Sequence, residues 1–112
     1  MNTLTKQIKS QWIEALKSGK YTQGHGQLRL NINGVKHHCC LGVLGEIHSE
    51  LEINDMGCIF PNIAATYKPF EEMLGGEKEV EKIYRANDTS FAKGVRDYSG
   101  VIPLIEALPT ID

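Results

Sequence analysis

The strongest constraint in this chain is a dipeptide, Asn33-Gly34, set between two runs in which apolar and polar residues alternate. Asn-Gly favours a two-residue turn with positive φ at both positions, because the twist of that turn matches the twist of the strands it joins. The flanking runs, Leu28-Arg29-Leu30-Asn31-Ile32 and Val35-Lys36-His37-His38-Cys39, are therefore expected to form a β-hairpin over about residues 28–39. A two-residue turn also dictates the register. Ile32 falls opposite Val35, Asn31 opposite Lys36, Leu30 opposite His37, Arg29 opposite His38 and Leu28 opposite Cys39. Strand side chains alternate between faces, so Leu28, Leu30, Ile32, Val35, His37 and Cys39 share one face, and Arg29, Asn31, Lys36 and His38 share the other. Hydrophobicity alone predicts that the first face lies on the core and the second meets solvent.

The period changes at Cys40. Cys40, Leu44, Ile47 and Leu51 recur at helical spacing, widened by Leu41 and Val43, which predicts a helix leaving the hairpin directly. Gly42 and Gly45 each weaken that helix by about 1 kcal/mol relative to Ala, so their presence implies that another backbone packs close. Upstream, Leu4, Ile8, Trp12, Ala15 and Leu16 mark an amphipathic helix, with Asn2 or Thr3 as its expected cap and Gly19 as its stop. Lys6, Lys9 and Lys17 are expected on its solvated face. Tyr21 to Gln27, where Gly24 and Gly26 flank His25, reads as a loop.

Further on, Leu51-Glu52-Ile53 and Gly57-Cys58-Ile59-Phe60 suggest two short strands, and Pro69 to Leu74 one or two helical turns. Glu77 to Ala86 reads as a short helix with Val80, Ile83 and Tyr84 inward. Asn87 to Ser90 offers caps for another, in which Phe91, Val95 and Tyr98 share a face, and Pro103 suits the first turn of a last helix. The expected fold is a single α+β domain over residues 1–112. An N-terminal helix packs on a small antiparallel sheet built on the hairpin, with further short helices and a core of Trp12, Leu16, Leu28, Leu30, Cys40, Leu44, Ile47 and Phe91.

With 41% apolar and 23% charged residues the chain belongs with folded globular domains, able to stand alone or as a small homo-oligomer. A formal net charge of −2 argues against broad attraction to nucleic acid, which needs an excess of Lys and Arg. No run approaches the roughly 20 apolar residues that span a bilayer, and Met1 to Leu16 lacks the unbroken apolar core of a secretory signal. A cytoplasmic location is expected, with the three cysteines as free thiols, since an odd count with two adjacent members makes a poor disulfide framework.

His37-His38-Cys39-Cys40 gathers the side chains whose charge shifts most easily near neutral pH. A zinc site would draw on these residues with His25, His48 and Cys58, but neither a Cys-x-x-Cys nor a His-x-x-x-His pair is present, so no metal and no cofactor is implied. A cysteine enzyme would use Cys39 or Cys40 as nucleophile, with His25, His37 or His38 as base and Asn87 or Asp88 orienting it. Against it, Leu41, Val43 and Leu44 flank both thiols, and Asn87 and Asp88 read more simply as a helix cap. The residues best suited to a ligand are Tyr21, Gln23, His25, Gln27, Arg29 and His38. They combine a stacking ring, amides and a guanidinium fork, which fits a small anionic or nucleotide-like molecule.

Trp12-Ile13-Glu14-Ala15-Leu16, Ser18-Gly19-Lys20-Tyr21, Gln23-Gly24, Gly26, Leu28-Arg29 and Cys39-Cys40-Leu41-Gly42-Val43-Leu44 together resemble a group of short bacteriophage and prophage proteins. Asn87-Asp88 and Ser90-Phe91 match the same group near its end, where a continuous helix is expected and Gly94 and Ser99-Gly100 interrupt it. The resemblance implies a phage setting in the cytoplasm of a host cell. There, small accessory proteins act by binding and disabling a host component, so a host defence protein or a small anionic signal is the expected partner.

Overall fold

The computed structural model describes residues 3–25, 28–48 and 64–112, and the two strands expected between Leu51 and Phe60 lie outside them. The fold is α+β. Its elements are α1 (Lys6–Lys17), β1 (Thr22–Gln23), β2 (Arg29–Ile32), β3 (Val35–His38), α2 (Cys40–Ile47), α3 (Ala64–Leu74), α4 (Glu77–Ala92) and α5 (Ile102–Glu106).

The cap of α1 is Thr5, not Asn2 or Thr3: its hydroxyl accepts from the Ile8 N–H at 3.1 Å. Gly19 stops the helix as expected, at φ +78°. Trp12 and Leu16 are buried, and the Trp12 indole N–H donates to the Cys40 carbonyl at 2.8 Å, which pins α1 to the start of α2. The main helical partners of α1 are α2 and α5. Lys9 is not merely solvated. Its ammonium donates to the carbonyls of Glu106 (2.5 Å) and Leu108 (2.7 Å), placing a cation on the unsatisfied C-terminal end of α5.

The hairpin adopts the expected register in all four strand pairs, with Asn33 at φ 53° and Gly34 at φ 84°. At its base the Cys39 N–H donates to the Leu28 carbonyl at 3.2 Å. The sheet is mixed rather than antiparallel, because β1 lies parallel to β3 in the order β1-β3-β2. Two residues are too few for a strand period to be visible in sequence, and so β1 read as loop.

Burial along the hairpin follows position rather than face: Leu28 and Cys39 of the apolar face and His38 of the polar face are all buried at the base, whereas Asn31, Ile32, Val35 and Lys36 are all exposed at the tip. His38 is at 4% exposure and Arg29 reaches the Glu46 carboxylate on α2, so the base of the polar face, expected to meet solvent, is covered by α2. Ile32 and Val35, at 45% and 52%, are exposed, and Leu30 is only half-buried. The cause is the connection: α2 begins two residues after β3 ends and folds back over the Arg29 and His38 side. Gly42 makes that return feasible, because a Cβ there would lie far inside contact distance of the Leu28 carbonyl oxygen.

The separate helix expected to carry Phe91, Val95 and Tyr98 on one face does not form: α4 ends at Ala92, and Val95 and Tyr98 lie beyond it. α4 runs through Asn87-Asp88-Thr89-Ser90 without a break, so those residues cap nothing at that point, and the helix ends before Gly94 at φ +92°. α3 extends over eleven residues through Pro69, beyond the one or two turns expected. Pro103 stands in the first turn of α5, as expected. The core joins Leu4, Trp12, Leu28, Cys39, Cys40, Leu44, Phe70, Ile83, Tyr98 and Ile105; of the residues expected within it, Ile47 is half-buried against its margin and Phe91 is half-buried outside the cluster.

Candidate functional site

Gln23 and Asn87, two of the side chains singled out for chemistry, are fully buried and face each other across the fold. The Asn87 Oδ1 accepts from the Cys40 N–H at 3.1 Å and from Gln23 Nε2 at 3.2 Å, and its Nδ2 donates to the Gly24 carbonyl at 2.9 Å. α2 starts at Cys39 without a side-chain cap of its own, so Asn87 supplies from α4 the acceptor that an N-cap residue normally provides locally. The remaining Gln23 oxygen accepts from the Tyr98 N–H at 2.8 Å, and the Tyr98 hydroxyl donates to the His38 carbonyl at 2.7 Å. These two bonds hold Tyr98 at φ +65°, a conformation costly for a bulky residue. Every polar atom of the Gln23 amide is thus engaged inside the protein, and its role is structural.

Of the six residues expected to meet a ligand, the structure brings together Tyr21, Arg29 and His38. The Tyr21 ring meets the His38 imidazole edge-on, with centroids 5.2 Å apart. Arg29 donates to Glu46 Oε1 at 2.6 Å, and Glu46 Oε2 stands 3.7 Å from His38 Nε2, too far for a direct hydrogen bond. Neither ring nitrogen of His38 has a hydrogen-bond partner. Burial lowers the His38 pKa below its ordinary 6.5, against the opposing pull of Glu46, so the imidazole is neutral at pH 7. His25 goes elsewhere, stacking on Phe91 at 4.3 Å while the Arg96 guanidinium lies 3.7 Å from that ring's centroid. Gln27 lies outside the described residues. Glu46 was not singled out in sequence, although it is the only charged residue in the apolar segment Cys40–Ile47.

The setting of Cys39 and Cys40 disfavours the thiolate. Cys39 and Cys40 are both free and fully buried. Burial pushes the Cys39 pKa up to about 12 and raises that of Cys40 as well, so thiolate is scarce at neutral pH despite the start of α2 beside them. Among the described residues, no cluster of three or more His, Cys, Asp or Glu side chains could hold a metal ion, and no helix is long and apolar enough to cross a membrane.

These features define a small α+β protein whose hairpin is buried on both faces at its base and exposed on both at its tip. A family model described as Domain of unknown function (DUF8296) matches residues 4–86, from α1 through most of α4, and the chain belongs to that family. Neither the curated proteins nor the solved structures give a match.

Proposed function

We propose that this is a phage-encoded accessory protein that binds and neutralises a host component without chemical turnover, and that the component is a host protein engaged through the outward face of the hairpin. The observation that carries this reading is the exposed apolar pair at the hairpin tip. Ile32 and Val35, a directly opposed cross-strand pair, stand exposed on the same face as the half-buried Leu30 and His37, while Arg29 and His38 are turned into the fold. Lone exposed apolar residues are ordinary, but an opposed β-branched pair continuous with a third apolar side chain forms one patch, at the place where folding alone favours polar residues. Burial of both thiols supports binding over cysteine chemistry.

The test is capture of the partner from host lysate on tagged protein, its identification by mass spectrometry, and measurement of Kd with the purified partner. Ile32→Ser with Val35→Ser should weaken that Kd by at least about a hundredfold, as expected when two buried anchors are truncated. Conversion of a lysate metabolite to product by the isolated protein contradicts the reading.

A further inference from the structure

We propose that Arg29 and His38 form a binding site for a phosphoryl-type oxyanion, which the chain's own Glu46 carboxylate occupies and closes in this structure. The guanidinium and the imidazole approach the same carboxylate from two strands: Arg29 at 2.6 Å from Oε1, His38 Nε2 at 3.7 Å from Oε2. Glu46 satisfies the first and falls short of the second. His38 is thereby left 96% buried with both ring nitrogens unpartnered, a costly state that needs a reason. A tetrahedral anion with three acceptor oxygens, seated where the carboxylate now lies, reaches both groups at once: a planar carboxylate offers two oxygens, and its own backbone limits their position.

The surroundings suit that occupant. Lys36 lies on the same strand face as His38, and the Tyr21 ring, with the Lys20 ammonium 5.8 Å from its centroid, closes the side next to the imidazole. Glu46 is an exposed residue of α2 whose side chain enters the site from the surface, so rotating it outward opens the route by which it entered. An internal competitor of this kind lowers the apparent affinity by the fraction of molecules in which it is seated, so removing it should unmask the site. The site lies on the sheet face opposite Ile32 and Val35, and it stands or falls independently of the partner-binding surface.

The experiment titrates inorganic phosphate into wild type, Glu46→Gln and Glu46→Gln/Arg29→Ala, following 31P linewidth and the side-chain 15N resonances of His38, with circular dichroism confirming each fold. Glu46→Gln should bind phosphate about tenfold or more tighter than wild type and shift the His38 resonances, and the added Arg29→Ala should abolish both effects. A mononucleotide titration separates the sources: tighter binding than phosphate, with Tyr21 resonances shifted, assigns a nucleotide, and equal binding assigns the phosphoryl group alone. Acetate binding Glu46→Gln as well as phosphate does would overturn the tetrahedral preference. If Arg29→Ala prevents folding, Arg29→Lys, which keeps the charge and loses the fork, should weaken phosphate binding to Glu46→Gln. Phosphate binding to folded Glu46→Gln no tighter than to wild type, or with His38 unshifted, overturns the proposal.

Discussion

The two ends of the hairpin are made on opposite rules. At its base, Leu28, His38, Cys39 and the neighbouring Gln23 are buried, and the backbone groups there are paired with α4 and Tyr98. At its tip, Asn31 to Lys36 are all exposed, the turn is held by the Asn31 side chain accepting from the Gly34 N–H at 2.9 Å, and two β-branched residues meet solvent. At the base the buried amides of Gln23 and Asn87 follow the rule that buried polar groups must be satisfied, and the His38 ring nitrogens are the exception. The tip breaks the rule that apolar strand residues face inward. The difference teaches that packing and directional bonds are concentrated where α2, α4 and Tyr98 meet the base, and that the two β-branched residues at the tip contribute little to the fold.

Substitutions at the base should have the largest effects. Asn87→Ala strips acceptors and donors from the Cys40 N–H, the Gly24 carbonyl and the Gln23 amide together, and should cost about 3–5 kcal/mol in chemical denaturation. Leu44→Ala, at 0% exposure, should cost roughly 2–5 kcal/mol by leaving a cavity, and an Asn87→Ala cost below half of that would show that the polar knot is incidental. In a Cys58→Ser background, Cys39 and Cys40 should resist a thiol reagent at pH 8 on the timescale that fully modifies the unfolded chain. Fast native labelling would break the distinction between a closed base and an open tip.

The pH response should also localise to the base. The folded state lowers the His38 pKa by burial, so the stabilisation it gives to neutral imidazole is present above pH 6.5 and is lost as pH falls through the folded value. Unfolding free energy should therefore decline from pH 7.5 to 5.5, with a shallower slope in His38→Gln. An unchanged slope would assign the decline to other groups. Lys9→Ala should cost about 1 kcal/mol through the bare C-terminus of α5, where sequence alone suggests a neutral surface change.

The register of the hairpin, the helix that follows it and the close approach at Gly42 were legible because each is encoded locally: by a turn, by a period and by a glycine. The extent of burial along the hairpin was not. Alternation tells which residues share a face, and only the path of α2 decides how far along the strands they are covered. Gln23 and Asn87 illustrate the same limit, since they lie 64 residues apart and their pairing leaves no local mark. Tyr21, Arg29 and His38 meet because register and packing place them together, while His25 turns to Phe91, whose position depends on the unbroken run of α4.

The open apolar tip is tested most directly by one paired measurement on Ile32→Ser/Val35→Ser: unfolding free energy alongside Kd for the proposed host partner. Unfolding free energy within about 0.5 kcal/mol of wild type, as for surface substitutions, together with partner affinity reduced at least about a hundredfold, is the predicted result. A loss of stability comparable to that of Leu44→Ala, or partner affinity left intact, would contradict it.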